Sequence, residues 1–302
     1  MIQTLKVTES GSRIDAYIAN NIPDISRSYS GQLLDDGRVK VFGVNKLKAS
    51  YKVCEGDIIE IDIPDPVMTE TKPQDIPLDI VYEDNDLIII NKPQGMVVHP
   101  ACGHHEDTLV NALLHHCEGN LSDINGVIRP GIVHRIDKDT SGLMVACKNN
   151  ETHQIMADMM SRHEVRRKYR CVVHGVISAD KGTIDAPIGR SSTDRRKMAV
   201  VPDGKPSVTH FTVVKRYKDA TDVELLLETG RTHQIRAHMT YIGHPLVGDP
   251  VYSGRRKTYG LEGQCLHSKE ISFKHPITGE TISYEIDLPD YYKELLSKLI
   301  EL

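Results

Sequence analysis

Residues 131–143 read GIVHRIDKDTSGL, a polar, turn-prone run that joins two apolar stretches. The segments 131–133 and 143–147 are both typical of short strands, so Asp137 would lie on a loop held by a sheet. Catalytic residues are commonly carried on loops that a rigid scaffold positions. A turn built from side-chain to backbone hydrogen bonds of Asp, Thr and Ser would also account for this composition. Taken alone, the stretch leaves a catalytic carboxylate and a structural turn open.

Three further motifs lie along the chain on both sides of this stretch. They are NKPQGM at 91–96 leading to His99-Pro100, RKYR at 167–170, and ETGRTHQIR at 228–236 continuing to GDP at 248–250. With HRIDKDTSGL at 134–143, this set resembles the RluA-type pseudouridine synthases over roughly residues 75 to 290. The N-terminal part separately resembles an S4 RNA-binding domain. The combination is similar to the branch of that family called ribosomal large-subunit pseudouridine synthase D.

Length and composition agree with a two-domain enzyme. A chain of 302 residues exceeds the usual size of one domain, so a small domain plus a catalytic domain is expected. We find neither a long uncharged apolar run nor a secretory signal at the start, and therefore expect a cytoplasmic protein that does not enter a membrane. The six cysteines stand singly, without a C-x-x-C pair, which favours reduced thiols over disulfides or a zinc knuckle.

The net charge of −5 is unevenly distributed. Residues 55–86 carry eleven acidic side chains and one lysine, so the remainder of the chain has a net positive charge. Basic residues cluster at 162–170, 195–197 and 255–257. Such clusters can neutralise phosphates even on an acidic protein, although solvated surface loops would have the same composition.

The predicted fold is α/β, of the α+β type. We expect an S4-like domain with its acidic, proline-rich linker at residues 12–72, and a catalytic domain at 75–302. The first contains two helices and two short strands by its apolar spacing. In the second, strands are predicted at 87–90, 168–177, 208–217 and 222–228, and helices after Thr108, at 150–162 and from about Arg231. The resemblance implies a mixed, mostly antiparallel sheet with flanking helices.

The resemblance also implies roles for three catalytic residues. Asp137 would be the catalytic carboxylate, which either attacks C1′ of the ribose or removes the 2′ proton to give a glycal. Tyr169 would stack on the uracil once it has left the helix. Arg231, in the GRTHQ motif, would pair with Asp137 through two hydrogen bonds and fix its direction.

Several basic residues are expected to contact RNA. Arg135 precedes Asp137 by two positions, points the same way in an extended segment, and would fill the gap left by the flipped uridine. His134 is expected to shape the loop by a hydrogen bond. The predicted RNA-binding residues are Arg13, Arg27, Arg38, Arg135, Arg166 and Lys168.

No metal or cofactor is expected. No cysteine pair accompanies His104-His105 or His115-His116, and His233 and His238 diverge by about 140° on a helix. Ser141 lacks the G-x-S-x-G context of a hydrolase nucleophile. Neither a phosphate-binding loop nor a dinucleotide motif is present, and an isomerisation needs no redox step.

The sequence therefore predicts an isomerase that converts specific uridines to pseudouridine, with large-subunit (23S) ribosomal RNA or a precursor ribosomal particle as its partner. Two alternatives stay open. The same chemistry could act on transfer RNA, or the chain could be a non-catalytic RNA-binding assembly factor. A monomer is expected.

Overall fold

The chain divides into two compact units, residues 1–69 and 70–302. The computed structural model describes residues 2–22, 25, 27–44, 47–48, 50–63, 71–100, 104–118, 120–123 and 130–302, with the backbone only at 27–29 and 32. None of the helices within these ranges has the length and apolar character needed to span a bilayer.

The N-terminal unit packs two helices on a three-stranded sheet. Its elements are β1 (Ile2–Lys6), α1 (Ile14–Asn21), α2 (Arg27–Asp35), β2 (Val39–Val41) and β3 (Ile58–Asp62). The strand order is β1-β3-β2, and both pairings are antiparallel. Ile14, Ile18, Leu33, Ile59 and Ile61 form the centre of the core, at most 1% exposed. Strand β1 precedes residue 12, where the predicted domain begins, yet it pairs with β3 along its whole length.

The second unit is built on one nine-stranded sheet. Its first elements are β4 (Ile80–Glu83), β5 (Leu87–Lys92), α3 (Leu109–His116), β6 (Ser141–Cys147), α4 (Asn150–Ser161) and β7 (Arg166–His174). Next come β8 (Lys181–Asp185), β9 (Ile188–Arg190), β10 (Met198–Val200), β11 (Val208–Arg216) and β12 (Ala220–Leu227). The last are α5 (Gln234–Tyr241), β13 (Leu266–Lys274), β14 (Thr281–Glu285) and α6 (Asp290–Ser297).

The strand order β4-β5-β6-β13-β7-β12-β11-β8, with β14 on β13, confirms the predicted mixed, mostly antiparallel sheet. The parallel contact joins β6 to β13, where Ser141 and Gly142 lie opposite His267 and Ser268. Gly142 has a φ of +109°, and a Cβ placed on it would lie 2.2 Å from the carbonyl oxygen of Ser268. Only glycine allows the two strands to approach so closely.

Local sequence signals located most helices of this unit. Thr108 caps α3 through a capping box with Asn111, as its position before the apolar run predicted. Helix α4 begins after Asn149, whose side chain accepts a hydrogen bond from the Thr152 amide. Helix α6 docks on the sheet through buried Tyr292, which donates a hydrogen bond to Asp222 over 2.7 Å.

Two local predictions differ from the structure. The segment 131–133 is not a strand, because only an isolated bridge joins Ile132 to Ala146. Helix α5 begins at Gln234 and not near Arg231, because His233 adopts a left-handed conformation (φ 54°) that ends the preceding turn. This displacement of three residues changes which side chains of the motif face inward.

The end of the predicted linker packs on the second unit. The Asn111 side-chain amide donates to the carbonyl oxygen of Lys72 over 2.8 Å, and the Gln74 amide donates to the carbonyl oxygen of Asn111 over 3.0 Å. Residues 71–79 have no regular secondary structure. Residues 64–70 of the linker, like Ser26 before α2, lie outside the described residues.

Candidate active site

Asp137 lies on the loop before β6, with 18% of its side chain exposed. Its Oδ2 accepts a hydrogen bond of 2.9 Å from Nη1 of Arg236 in the first turn of α5. The guanidinium is 5% exposed, so this ion pair is shielded from water on the side of the helix. The contact gives Asp137 a fixed orientation towards the pocket that it lines.

Arg236 is itself held from behind by Asp249. Its Nε and Nη2 donate to the two carboxylate oxygens of Asp249 over 2.7 and 3.0 Å, in the two-pronged geometry that arginine favours. The Asp249 side chain is fully buried, and its Oδ1 also accepts the amides of Val251 and Tyr252. The carboxylates of Asp249 and Asp137 raise the pKa of Arg236 despite its burial.

His233 and Tyr252 complete this side of the pocket. His233 Nε2 lies 3.9 Å from Oδ1 of Asp137, and its Nδ1 lies 3.0 Å from the hydroxyl of Tyr252. The Tyr252 ring packs under the Arg236 guanidinium, with 5.0 Å between its centroid and Cζ. Burial lowers the pKa of His233, and the nearby Asp137 carboxylate partly offsets this effect.

Tyr169 lines the same pocket from strand β7. The residue is 5% exposed, so its ring forms a wall of the pocket. Burial raises the pKa of the Tyr169 phenol, with Arg167 and the Ser268 hydroxyl opposing this effect. The site thus brings together one carboxylate, one arginine bound to it and one aromatic side chain.

Arg231, which was predicted to pair with Asp137, lies elsewhere. It is exposed at the rim of the pocket, and its Nε donates to the carbonyl oxygen of Pro206 over 3.3 Å. The ion pair falls to Arg236 because α5 starts at Gln234, which places Arg236 on the inward face of the first turn. The sequence hardly distinguishes Arg231 from Arg236 as the partner of Asp137, because both belong to one motif. The start of α5 decides which of the two faces inward.

Arg135 lies near the opening of the pocket, as expected for a residue that meets RNA. It is exposed, lines both the pocket and the neighbouring groove, and its Nη1 lies 3.2 Å from Nε2 of His99. His134 behaves as predicted: its Nε2 accepts the Val145 amide over 3.1 Å. The His134 ring thus contacts β6 next to the isolated bridge between Ile132 and Ala146.

Most other predicted RNA contacts are already paired with carboxylates. Arg13 is paired with Asp15, Arg38 with Asp62, and Lys168 with Glu270, over 3.0, 2.8 and 2.6 Å. Arg166 is exposed at the start of β7, and the side chain of Arg27 lies outside the described residues. RNA binding by these residues remains a prediction.

Lys92 ties the NKPQGM turn to the Asp137 loop. It is 1% exposed, and its Nζ donates to the carbonyl oxygens of Pro93, Met96 and Lys138 over 2.7, 2.8 and 3.0 Å. Burial lowers the pKa of Lys92 to about 7, against the attraction of Asp139 and Asp137. The NKPQGM motif is therefore linked to the Asp137 loop through Lys92.

One group in the described ranges has the composition of a metal site: Asp84, Asp86 and His275. The carboxylate of Asp84 already accepts hydrogen bonds from Tyr82, His275 and the amides of Asp86 and Leu87. These hydrogen bonds satisfy the acceptor capacity of the Asp84 carboxylate. The cluster is therefore explained as a hydrogen-bonded turn that precedes β5.

Comparisons with known proteins agree with this geometry. The family model for RNA pseudouridylate synthase matches residues 86–241. The chain is 51% identical to the Bacillus subtilis (strain 168) protein called uncharacterized RNA pseudouridine synthase YlyB, over 98% of this chain and 97% of that protein. It is 44% identical to the ribosomal large subunit pseudouridine synthase D of Zymomonas mobilis, over 98% of this chain and 96% of that protein.

A solved structure shows the same fold. Human RNA pseudouridylate synthase domain containing 1 superposes with a TM-score of 0.61 and 25% identity, over 75% of this chain and 89% of that one. The match of the family model across the Asp137 loop and α5, and the full-length relatives, settle the assignment: the chain belongs to the RluA-type RNA pseudouridylate synthases and is an RNA pseudouridine synthase, an isomerase.

Proposed function

We propose that this enzyme converts specific uridines of large-subunit (23S) ribosomal RNA to pseudouridine in the cytoplasm, with no cofactor. The names of several relatives, including the synthases D of Zymomonas mobilis and of Pseudomonas aeruginosa, support this substrate. The observation that carries the chemistry is the ion pair between Asp137 and Arg236 in a pocket walled by Tyr169.

In the proposed reaction the target uridine leaves the RNA stack and its base enters the pocket against Tyr169. Flipping costs a few kcal/mol, which stacking of the Arg135 guanidinium in the vacated space partly offsets. Asp137 acts on the sugar, either at C1′ or at the 2′ hydrogen, and the bond from N1 to C1′ breaks. The released uracil turns and C5 bonds to C1′, while the bond from Asp137 to C1′ breaks or, in the glycal route, the 2′ proton returns to the sugar. C5 then loses its proton and N1 gains one, so the base leaves with the same number of protons.

Each remaining group has a supporting part. Arg236 holds the Asp137 carboxylate in position before substrate arrives, so little reorganisation is needed in the transition state. Arg231, at the rim, contacts the RNA as it enters. The S4-like unit at the N-terminus adds affinity through phosphate contacts of Arg13, Arg27 and Arg38.

The test is pseudouridine mapping of ribosomal and transfer RNA from a strain that lacks the protein, followed by conversion of transcribed 23S RNA by the purified enzyme. We expect loss of pseudouridine at discrete 23S positions and its restoration by the wild type. Asp137→Asn should abolish conversion while keeping RNA affinity, because the amide preserves shape without the negative charge.

Asp139→Asn is the matched control, since it changes the same chemical group in the same loop and should retain activity. Pseudouridine lost only from transfer RNA would reassign the substrate. An unchanged map together with inactive wild-type enzyme would favour a non-catalytic assembly factor.

A further inference from the structure

Arg167 occupies an unusual place in strand β7. Side chains of a strand alternate between the two faces of the sheet, so Arg167 lies on the same face as Tyr169, while Arg166 and Lys168 lie on the opposite face. Arg167 and Tyr169 both line the pocket of Asp137. This arginine is thus directed at the active site, unlike its two basic neighbours.

Arg167 is buried, and none of the described carboxylates forms an ion pair with it. The residue is 6% exposed, its Nε is fully enclosed, and that atom has no hydrogen-bond partner. Within the described part of the chain no carboxylate pairs with its guanidinium, whereas Lys168 is paired with Glu270 and Arg170 with Asp222. A buried charge that lacks a partner is costly, and it is retained most readily where a ligand of opposite charge completes it.

The surroundings of Arg167 indicate which kind of anion would bind to it. Its side chain lines both the pocket of Asp137 and an adjoining groove of about 820 Å³, which Arg135, His163 and Arg231 also line. A flipped uridine whose base enters the pocket would extend its sugar and phosphate towards the adjoining groove. The Arg167 guanidinium lies where the pocket and the groove meet.

Gly230 provides the space for the guanidinium. A Cβ built on Gly230 would lie 3.0 Å from Nη1 and 3.4 Å from Nη2 of Arg167, closer than most side chains pack. The backbone of Gly230 therefore forms the floor on which the guanidinium rests. Substitution by alanine would displace its tip by a few tenths of an ångström without removing its charge.

We propose that Arg167 binds a phosphodiester group of the substrate RNA next to the reacting uridine. This inference rests on the proposed function, because it takes RNA as the substrate. A planar guanidinium can contact two phosphate oxygens at once, which would fix the backbone of the flipped nucleotide relative to Asp137. Arg167 is thus a substrate-binding residue, and the phosphate supplies a counter-ion that the described residues do not provide.

The experiment measures the affinity of transcribed 23S RNA at several salt concentrations, with single-turnover conversion in parallel. The proteins are wild type, Arg167→Gln, Arg167→Lys and Gly230→Ala, with Lys274→Gln as a control that removes one exposed positive charge elsewhere. Loss of one phosphate contact should weaken binding about tenfold and reduce the slope of log K against log salt by about 0.7 to 0.9. Lys274→Gln should leave both unchanged.

The other two variants separate binding from folding. Arg167→Lys keeps the charge, so the salt slope should stay while affinity falls a few-fold as the two-pronged contact is lost. Gly230→Ala should raise the RNA concentration needed for half-maximal rate several-fold, with the melting temperature nearly unchanged. If Arg167→Gln does not fold, the affinities and salt dependence of these two variants still test the proposal.

Three results would overturn the proposal. One is an unchanged salt slope for Arg167→Gln, even if conversion fell, since that would indicate a contact with the uracil and not with a phosphate. Another is a lower melting temperature for Arg167→Lys and Gly230→Ala without any change in affinity, which would make Arg167 structural. The third is a wild type that fails to bind the RNA. A wild type that binds but converts nothing would contradict the proposed function alone, because the salt slope still judges Arg167.

Discussion

His134 should make this enzyme sensitive to mild acid. Burial, with a smaller contribution from the Arg167 guanidinium, lowers the pKa of His134 to about 3. Its Nε2 accepts the amide of Val145, and a protonated ring would turn that nitrogen into a donor that faces another donor. The unfolded chain, by contrast, takes up this proton near pH 6.5.

The magnitude follows from linkage. Because the folded pKa lies below the unfolded one, the shift has no effect above pH 6.5, where the ring is neutral in both states, and destabilises the folded state progressively as the pH falls towards 3. Each pKa unit corresponds to about 1.4 kcal/mol. Protonation of the unfolded chain between pH 6.5 and pH 5 would therefore lower the free energy of unfolding by about 2 kcal/mol. His134 is only half-buried as a residue although its Nδ1 is enclosed, so we expect about 1 to 2 kcal/mol.

The assay is urea denaturation at pH 7 and pH 5 of wild type, His134→Gln and His105→Gln. Glutamine keeps an oxygen that can accept the Val145 amide but cannot be protonated in this range. The loss of stability between the two pH values should be smaller by about 1 to 2 kcal/mol in His134→Gln. His105 is exposed, so its variant should follow the wild type. Equal losses in wild type and His134→Gln would refute the reasoning.

Four further outcomes are expected. Arg236→Lys, which keeps the charge but loses the two-pronged contact with Asp249, should lower the single-turnover rate at least about 100-fold with little change in RNA affinity; a near-normal rate would contradict the role given to the ion pair. Gly142→Ala should destabilise the protein by at least about 3 kcal/mol in denaturant titrations, because the new Cβ meets the Ser268 backbone. Dialysis against a chelator should leave activity intact, whereas recovery of lost activity on adding zinc would show that a metal had been overlooked. Removal of residues 1–69 should weaken RNA binding and flatten its salt dependence while the saturating rate stays comparable; a collapse of that rate would mean that the first unit helps to build the active site.

Features encoded by neighbouring residues were predictable from the sequence. The cap at Thr108 and the start of α4 follow from residue types a few positions apart. Strand β1 was missed because five residues of mixed polarity, exposed or half-buried along their length, give no clear alternation until β3 pairs with them.

The active site was predictable only in part. The two motifs HRIDKDTSGL and RKYR indicated Asp137 and Tyr169 as residues of one site, and both line the same pocket in the structure. The partner of Asp137 depends on the left-handed conformation of His233, which displaces the start of α5 and turns Arg236 inward. Asp249 and Tyr252 could not be assigned from their local sequence, because their contacts with Arg236 arise from tertiary packing.

The parallel contact between β6 and β13 has a consequence for biosynthesis. Ser141, which ends the Asp137 loop, is hydrogen-bonded to His267, 126 positions later. The Gln94 side chain contacts the carbonyl oxygen of Gln264, 170 positions away. Contacts of such long range form late, because the intervening chain must first be available. A nascent chain still lacking β13 therefore lacks these contacts, and we expect the Asp137 loop to take its final position only after residues 264–268 have been synthesised.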